Sequence, residues 1–305
     1  MRSQKEQAYA KINSFLAVTG RRPDGYHTLL SHMQAVSLCD ELTVTWTPCR
    51  QEAYHLSLSC TDSDLACDES NLVCRAAKMM LDTVSERGVD VGGQWSFHLQ
   101  KNIPMAAGLG GGSADAAATI RAINALVGEV LTMRQLCELG ARIGADVPFC
   151  VCSARGAMTA QGIGEQLTAA PPLPEHAYLV IAVHGQGVST PWAYRQVDEL
   201  GTDSSEAERY AAFLEAVRHG DLATMQNKGV NCFEAAVIPH RPAVAAVMQL
   251  MRACGAPFVR MSGSGPSVVA AFEGEREATE CLERLRSEGI WASACRPVAD
   301  YLPVL

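Results

Sequence analysis

Two charged side chains and one glycine-rich run in this sequence have the types and spacing that phosphoryl chemistry needs. Lys11 sits in an otherwise apolar stretch, Ala8-Tyr9-Ala10-Lys11-Ile12-Asn13. An ammonium in such a strand needs an anionic partner, because a bare buried charge is costly. A carboxylate or a transferring phosphoryl group would serve; the structural alternative is an edge-strand lysine reaching out to water. Asp146 is a lone carboxylate in Gly144-Ala145-Asp146-Val147-Pro148-Phe149, between a helix end and an expected buried strand, Phe149–Cys152. Pro148 should bias Val147 to extended geometry and so fix where Asp146 points. An aspartate held that way can orient or deprotonate an attacking hydroxyl. It could equally cap a turn.

The run between them is Ile103-Pro104-Met105-Ala106-Ala107-Gly108-Leu109-Gly110-Gly111-Gly112-Ser113-Ala114-Asp115. Glycines and small residues remove β-carbons where backbone must come close to something. Successive N–H groups can then converge on an anion, and the helix expected to follow adds its positive end. Ser113 is placed to cap that helix and to touch a phosphate or a metal ion. The run lacks the Lys-Ser/Thr ending of a P-loop and the acidic residue and βαβ setting of a dinucleotide fold. A flexible hairpin is the plain alternative; the succession of strand, glycine run and alanine-rich helix favours the phosphate site.

Arg21-Arg22-Pro23-Asp24-Gly25-Tyr26-His27 joins a turn to an aromatic and an imidazole. Tyr26 could stack on a base and His27 could bond its polar edge, or the segment is a surface turn followed by packing residues. Lys101 could contact a phosphate or simply end its strand. The histidines at 32, 55, 98, 176, 184, 219 and 240 show no metal-ligand spacing, so no dedicated metal site is expected.

The elements that must position these residues follow from periodicity. Gln7–Val18, Leu42–Trp46, Leu56–Ser59 and Trp95–Lys101 alternate as strands. Asn71–Arg87, Ser113–Leu126 and Thr132–Ile143 read as helices, the last with a capping box of Thr132 and Gln135. Met158–Glu165 reads as a hairpin or turn. Pro171-Pro172-Leu173-Pro174 is the best boundary, stiff and poor in donors. Beyond it come a strand at Tyr178–Val183, helices at Arg209–Arg218, Ala243–Ala253 and Glu275–Gly289, and an antiparallel pair, Val259–Met261 and Val268–Phe272. Strands and helices mix without a strict βαβ rhythm, which predicts an α+β fold in two lobes, 1–170 and 171–305.

Composition sets the outer limits. The chain has 305 residues, 48% of them hydrophobic, and a formal net charge of −8, so a general affinity for nucleic acid or anionic membrane is not expected. None of the 12 cysteines forms a C-x-x-C pair, and Met1–Glu6 is too polar for a secretion signal. The cysteines therefore read as reduced core thiols, and with no apolar run near the ~20 residues that span a bilayer a cytoplasmic protein is expected.

With these motifs in hand, the chain resembles the GHMP kinase superfamily, named for galacto-, homoserine, mevalonate and phosphomevalonate kinases. Three segments carry the match: Ala8–Asn13, Pro104–Ala118, and Met261-Ser262-Gly263-Ser264-Gly265-Pro266-Ser267. The Thr19–His27 loop, Gly108–Ser113 and Gly144–Pro148 fit the branch whose substrate is a cytidine diphosphate sugar alcohol. The resemblance implies a two-lobed GHMP kinase fold with its active site in the cleft between lobes. It also implies ATP and Mg2+, and transfer to the C2 hydroxyl of a methylerythritol. On matching positions it makes Asp146 the base and Lys11 its charged partner, with Asn13 in the same pocket. Pro104–Ala114 becomes the ATP phosphate loop, Tyr26 and His27 grip the cytosine, and Tyr194 covers its other face. A monomer or weak homodimer is expected. A mevalonate- or homoserine-type kinase, or a catalytically silent nucleotide-binding regulator of the same fold, is the competing reading. Two positions depart from the pattern: Ala114 stands where a second serine is usual, and Tyr9 replaces a proline. Asn231-Cys232-Phe233-Glu234 receives no role from the resemblance.

Overall fold

The N-terminal alternation extends further than the sequence suggests. In the computed structural model, which describes residues 1–49, 53–152, 156–201 and 206–299, strand β1 spans Arg2–Arg21 and pairs with β2, His27–Pro48. The first half of β2 escapes a period-two reading because polar Ser31, His32 and Gln34 are buried along with Met33, Ala35 and Val36. Both strands contribute to each of two compact units that are discontinuous in sequence.

The first unit comprises Met1–Ala10, Cys39–Ile103 and Gly110–Cys152. In it β2 pairs antiparallel with β4 (Gly93–Gln100), and β4 pairs parallel with β3 (Tyr54–Cys60). The register sets Leu42 opposite Leu99, Val44 opposite Phe97 and Trp46 opposite Trp95. The two tryptophan rings stack at 4.7 Å, a favourable cross-strand pair. Helix α1 (Leu72–Ser85) begins where the Asn71 side chain accepts from the Val73 N–H at 2.9 Å. It packs on α2 (Gly111–Leu126), whose small residues Ala114, Ala116, Ala117 and Ala118 are buried and allow close approach. Helix α3 (Met133–Ala141) starts with the predicted box, Thr132 accepting from Gln135 N–H and Gln135 accepting in return.

One element of this unit differs in type from its expectation. The apolar run after Asp146 is not a strand but a short helix, α4 (Val147–Val151), with Asp146 at its N-cap position in right-handed helical geometry, φ −82° and ψ −14°. All five residues are buried, and a short run buried on every side has no period to separate strand from helix. Pro148 sits at the start of the helix, where its missing N–H costs nothing. Its bias against helical geometry at Val147 is overridden by packing.

The second unit comprises Lys11–Leu38, Pro104–Leu109 and Ser153–Leu305. The first half of β2 pairs with β5 (Ala157–Gln161), which turns into β6 (Gln166–Ala169). A second sheet has the order β10-β7-β9-β8, from Trp291–Cys295, Tyr178–Val183, Val268–Phe272 and Phe258–Met261, all antiparallel. Helices α5 (Thr190–Leu200), α6 (Glu206–His219), α7 (Leu222–Lys228), α8 (Cys232–Val237), α9 (Pro242–Ala253) and α10 (Glu275–Ser287) complete it. Val180, Phe233, Val247, Met251, Val268 and Leu285 lie in its continuous apolar core. The Pro171–Pro174 segment lies inside this unit. The architecture is α+β, as the mixed pattern predicts.

Candidate active site

Lys11 does not reach for water. It is 5% exposed, and its Nζ donates to Asn13 Oδ1 at 2.7 Å. Asn13 Nδ2 donates to Ser31 Oγ at 2.8 Å, and the Ser31 hydroxyl donates in turn to the Phe15 carbonyl at 2.8 Å. The Lys11 N–H donates to the Leu109 carbonyl at 2.9 Å, which fastens β1 to the first half of the glycine run.

That half, Pro104–Leu109, holds two left-handed residues, Ala106 (φ 51°) and Gly108 (φ 78°). A β-carbon on Gly108 would lie 2.4 Å from the Ser262 carbonyl oxygen, so no side chain fits there. The Ser262–Ser267 turn makes this close approach. Ser262 Oγ accepts from the Asn13 N–H and donates to the Gly108 carbonyl, both at 3.2 Å, and the Ser267 N–H donates to the Ala107 carbonyl at 3.2 Å. The second unit thus gathers Lys11, Asn13, residues 104–109 and the serine-glycine turn around one another.

The other half belongs to the first unit. Gly110, left-handed at φ 69°, is the N-cap of α2, and no side chain caps that end. Ser113 therefore does not cap the helix as expected; it lies half-buried within the first turn. The leading N–H groups of a helix have no intrahelical partner, and such groups suit an anion. Ala114 is 1% exposed, so its β-carbon packs inward. A β-carbon on Gly144 would lie 4.0 Å from Ser113 Oγ, which makes the Gly144–Asp146 segment a neighbour of this helix start. Asp146 is half-buried and its carboxylate does not cap α4.

Lys101 follows the end of β4, and its side chain is buried rather than turned to water. Its side chain is 5% exposed and pairs with Asp40 and, at 2.8 Å, with Asp115. Asp40 Oδ1 also accepts from the Asn102 and Ile103 N–H groups, at 2.5 and 2.8 Å. This buried group ties β2, the entry to the glycine run and the first turns of α2 together. Burial pushes the Asp115 carboxyl up to about 7 against the pull of Lys101. Burial opposes the Lys101 charge, but the two carboxylates outweigh it and raise its pKa. Asp40 and Asp115 were not singled out by sequence; an acidic residue inside an alanine-rich helix is the signal for the second.

His27 stacks on Tyr194 with ring centroids 4.6 Å apart and 13° between planes, and its Nε2 lies 2.6 Å from Asp198 Oδ1. Arg21 reaches the other oxygen of Asp198 at 3.4 Å. Tyr194 and Asp198 share one face of α5, four residues apart, a helix with no sequence expectation behind it. Tyr26 stands apart in character, 61% exposed, with its N–H donating to Asp24 Oδ1 at 3.2 Å. A groove of about 1180 Å3 between β3 and α1, lined among others by His55, Arg75, Lys78 and Asp82, contains none of the residues expected from sequence.

In the second unit the first half of the glycine run lies against the Lys11 strand and the serine-glycine turn, and in the first unit its second half opens a helix without a side-chain cap, features suited to an anion. Residues 71–154 match the family GHMP kinases N terminal domain, and residues 213–290 match GHMP kinases C terminal. Among solved structures, a homoserine kinase from Cytophaga hutchinsonii is similar in fold, with TM-score 0.73 at 18% identity over 98% of this chain and 96% of that one. The fold is that of the GHMP kinases. A crystal structure of a 4-(cytidine 5'-diphospho)-2C-methyl-D-erythritol kinase is similar with TM-score 0.76 at 33% identity, covering 96% of this chain and 99% of that one. A 4-diphosphocytidyl-2-C-methyl-D-erythritol kinase of Pelobacter propionicus is 38% identical over 95% of this chain and 96% of its own length. The chain belongs to the 4-diphosphocytidyl-2-C-methyl-D-erythritol kinase family of GHMP kinases. It is an ATP-dependent small-molecule kinase.

Proposed function

We propose that this protein transfers the γ-phosphoryl group of ATP to the C2 hydroxyl of 4-diphosphocytidyl-2-C-methyl-D-erythritol, with Asp146 as general base and Lys11 as its charged partner. The observation that carries the reading is Lys11 itself: an ammonium 5% exposed, held by Asn13 Oδ1 and fastened through its backbone to Leu109. A buried ammonium beside a neutral amide oxygen is suited to stabilising negative charge on a reacting oxygen or phosphoryl group. Residues 104–114 bind the ATP phosphates through backbone N–H groups and the positive end of α2. Mg2+ is a hard, oxygen-seeking ion that arrives on phosphates. The donor type present fits it, since Ser113 offers a hydroxyl on the first turn of α2, and Ala114 offers none. When bound, the ion supplies charge neutralisation on the transferred group.

The cytidine end is assigned to His27 and Tyr194, with Asn13 toward the alcohol and the exposed Tyr26 ring closing on the base. Asp198 on His27 Nε2 directs the imidazole. The reading includes two lobes with sequence bounds 1–170 and 171–305, in keeping with the two family matches falling on either side of Pro171, although Lys11–Leu38 and Pro104–Leu109 pack with the second compact unit. It also includes a cytoplasmic monomer or weak homodimer without nucleic-acid or membrane partners, in keeping with the net charge of −8; among the described residues no helix is long and apolar enough to cross a membrane. A substrate panel tests the proposal. Purified protein should consume ATP with the cytidine diphosphate alcohol and not with mevalonate or homoserine; equal turnover with either would overturn it.

A further inference from the structure

The Asn231-Cys232-Phe233-Glu234 segment, which the family resemblance leaves without a role, holds the serine-glycine turn from behind. Strand β8 is the last in its sheet, with β9 on one side only. An edge residue turns N–H and C=O groups away from its partner strand, and buried ones must be satisfied elsewhere. Met261, the last residue of β8, meets both needs through one segment. Its N–H donates to Glu234 Oε1 at 2.8 Å, and its carbonyl accepts from Asn231 Nδ2 at 2.7 Å. The same Asn231 amide donates to the Gly263 carbonyl at 2.9 Å, so one side chain spans Ser262 on both flanks.

The clamp is itself fixed. Asn231 is 3% exposed, its Oδ1 accepts from the Phe233 N–H at 3.0 Å, and its backbone pairs with Leu16 of β1. Glu234 Oε2 takes Arg260 Nη1 at 3.1 Å, and Arg260 Nη2 donates to the Gln226 carbonyl at 3.0 Å. Ser262, pinned between the two carbonyls that Asn231 holds, is the residue whose hydroxyl joins the Asn13 N–H to the Gly108 carbonyl. Asn13 in turn receives Lys11 Nζ. Asn231 therefore fixes the two peptides flanking Ser262, and hydrogen bonds from the Ser262 hydroxyl carry on to the lysine strand and the phosphate loop.

We infer that Asn231 and Glu234 are positioning residues for phosphoryl transfer: they set the Ser262–Ser267 turn, and through Ser262 they set Asn13 and Gly108. The inference rests on the function proposed above. A group that only stabilises the fold would lower the melting temperature and leave turnover of the folded enzyme intact. A positioning group lowers kcat in folded protein, because small misplacements of reacting groups are expensive.

Asn231→Asp keeps the cap on Phe233 and removes both donors; Glu234→Gln keeps an acceptor for Met261 and removes the carboxylate charge that Arg260 pairs with; Ser262→Ala removes only the linking hydroxyl. Each is assayed with ATP and the cytidine diphosphate alcohol well below its own melting temperature. Asn231→Asp and Ser262→Ala should each lower kcat roughly 10- to 100-fold with little change in KM for the alcohol. The double variant should be no slower than Asn231→Asp alone, since both act through one hydroxyl. Wild-type kcat in the folded variants, or losses that multiply in the double variant, would overturn the inference. If Asn231→Asp does not fold, Glu234→Gln paired with Ser262→Ala is read against the same two outcomes. Hydrogen exchange gives a readout independent of turnover: the Asn13 amide proton should exchange faster in Asn231→Asp or, failing that, in Glu234→Gln. Unchanged exchange in the folded variant also overturns the inference, whereas a wild-type protein silent toward the alcohol overturns only the proposed function.

Discussion

Lys11 Nζ donates to Asn13 Oδ1 at 2.7 Å, two residues along one strand. Side chains alternate across a strand, so residues i and i+2 share a face. One partner of the lysine is thus supplied by its own strand, and it is a neutral amide oxygen. Lys11→Met, similar in length and uncharged, should lower kcat by about 100-fold or more. ATP binding measured by calorimetry should persist. Full turnover by this variant would remove Lys11 from the chemistry.

Asp146→Asn keeps the size of the side chain at the start of α4 and removes its basicity. Turnover should fall by roughly 100- to 10,000-fold, the range general-base groups contribute, while ATP still binds and the fold is unchanged by circular dichroism. Activity at the wild-type level would leave Asp146 a helix-start residue and nothing more.

Removal of either aromatic partner at the His27–Tyr194 stack should act on the cytidine end alone. Tyr194→Ala should raise KM for the cytidine diphosphate alcohol by about tenfold, in line with the worth of a stacked base, and leave KM for ATP within a factor of two or so of wild type. A rise confined to the ATP KM would place the stack at the wrong substrate.

Lys101 separates a stability role from a catalytic one. Lys101→Met leaves Asp40 and Asp115 buried without their common cation, and should cost about 3–5 kcal/mol of unfolding free energy. Asp115→Asn should cost less, since the amide oxygen still accepts from Lys101 and the Asp115 carboxyl, pushed up to about 7 by burial, is already easily protonated. Urea unfolding of the two variants gives the order directly, and a milder loss for Lys101→Met contradicts it.

His32 gives the protein an acid sensitivity. It is fully buried, with Nδ1 2.6 Å from Ser14 Oγ and Nε2 2.9 Å from the Pro171 carbonyl, and burial pushes its pKa down to about 4 despite that carbonyl. An unfolded chain holds the imidazole near 6.5, so between pH 6.5 and 4 the unfolded state binds the proton more readily. The contribution is complete above pH 6.5 and is lost as pH falls toward 4, reaching about 2 kcal/mol by pH 5. His32→Gln should flatten the slope of unfolding free energy across that window; an unchanged slope assigns the sensitivity to other groups.

The parts of the site that the sequence made legible are those whose composition is unusual for their surroundings. A lysine in an apolar strand, an aspartate isolated before a proline, and four glycines opening an alanine-rich helix each break a local pattern. Supporting residues break none. Asp198 lies on α5, whose apolar residues are too few to announce a helix, and Ser31 and His32 are polar residues on a strand buried on both sides. Asn231 looks like any turn asparagine until its amide is seen between two carbonyls. The expected strand at Phe149–Cys152 gives way to the helix Val147–Val151 for a different reason: a short run buried all round carries no periodicity, and the proline rule that favours extended geometry is weaker than the packing that makes a helix. Ser113 was placed as a cap because the helix was started two residues late; once Gly110 opens it, the serine falls inside the first turn.

The Met261 contacts have a meaning beyond catalysis. Val259, on the same outward side of β8, also gives its N–H to a side chain, Gln226 Oε1 at 2.8 Å. The buried β8 border of the second sheet therefore has its donors at Val259 and Met261, and its acceptor at Met261, already occupied by Gln226, Glu234 and Asn231. A border strand with open backbone groups is a template on which a neighbouring chain can add a strand. Here Asn231 and Glu234, which hold the turn in register, join Gln226 in closing this edge of the sheet, so a substitution at either opens backbone groups at the β8 edge as well as lowering turnover.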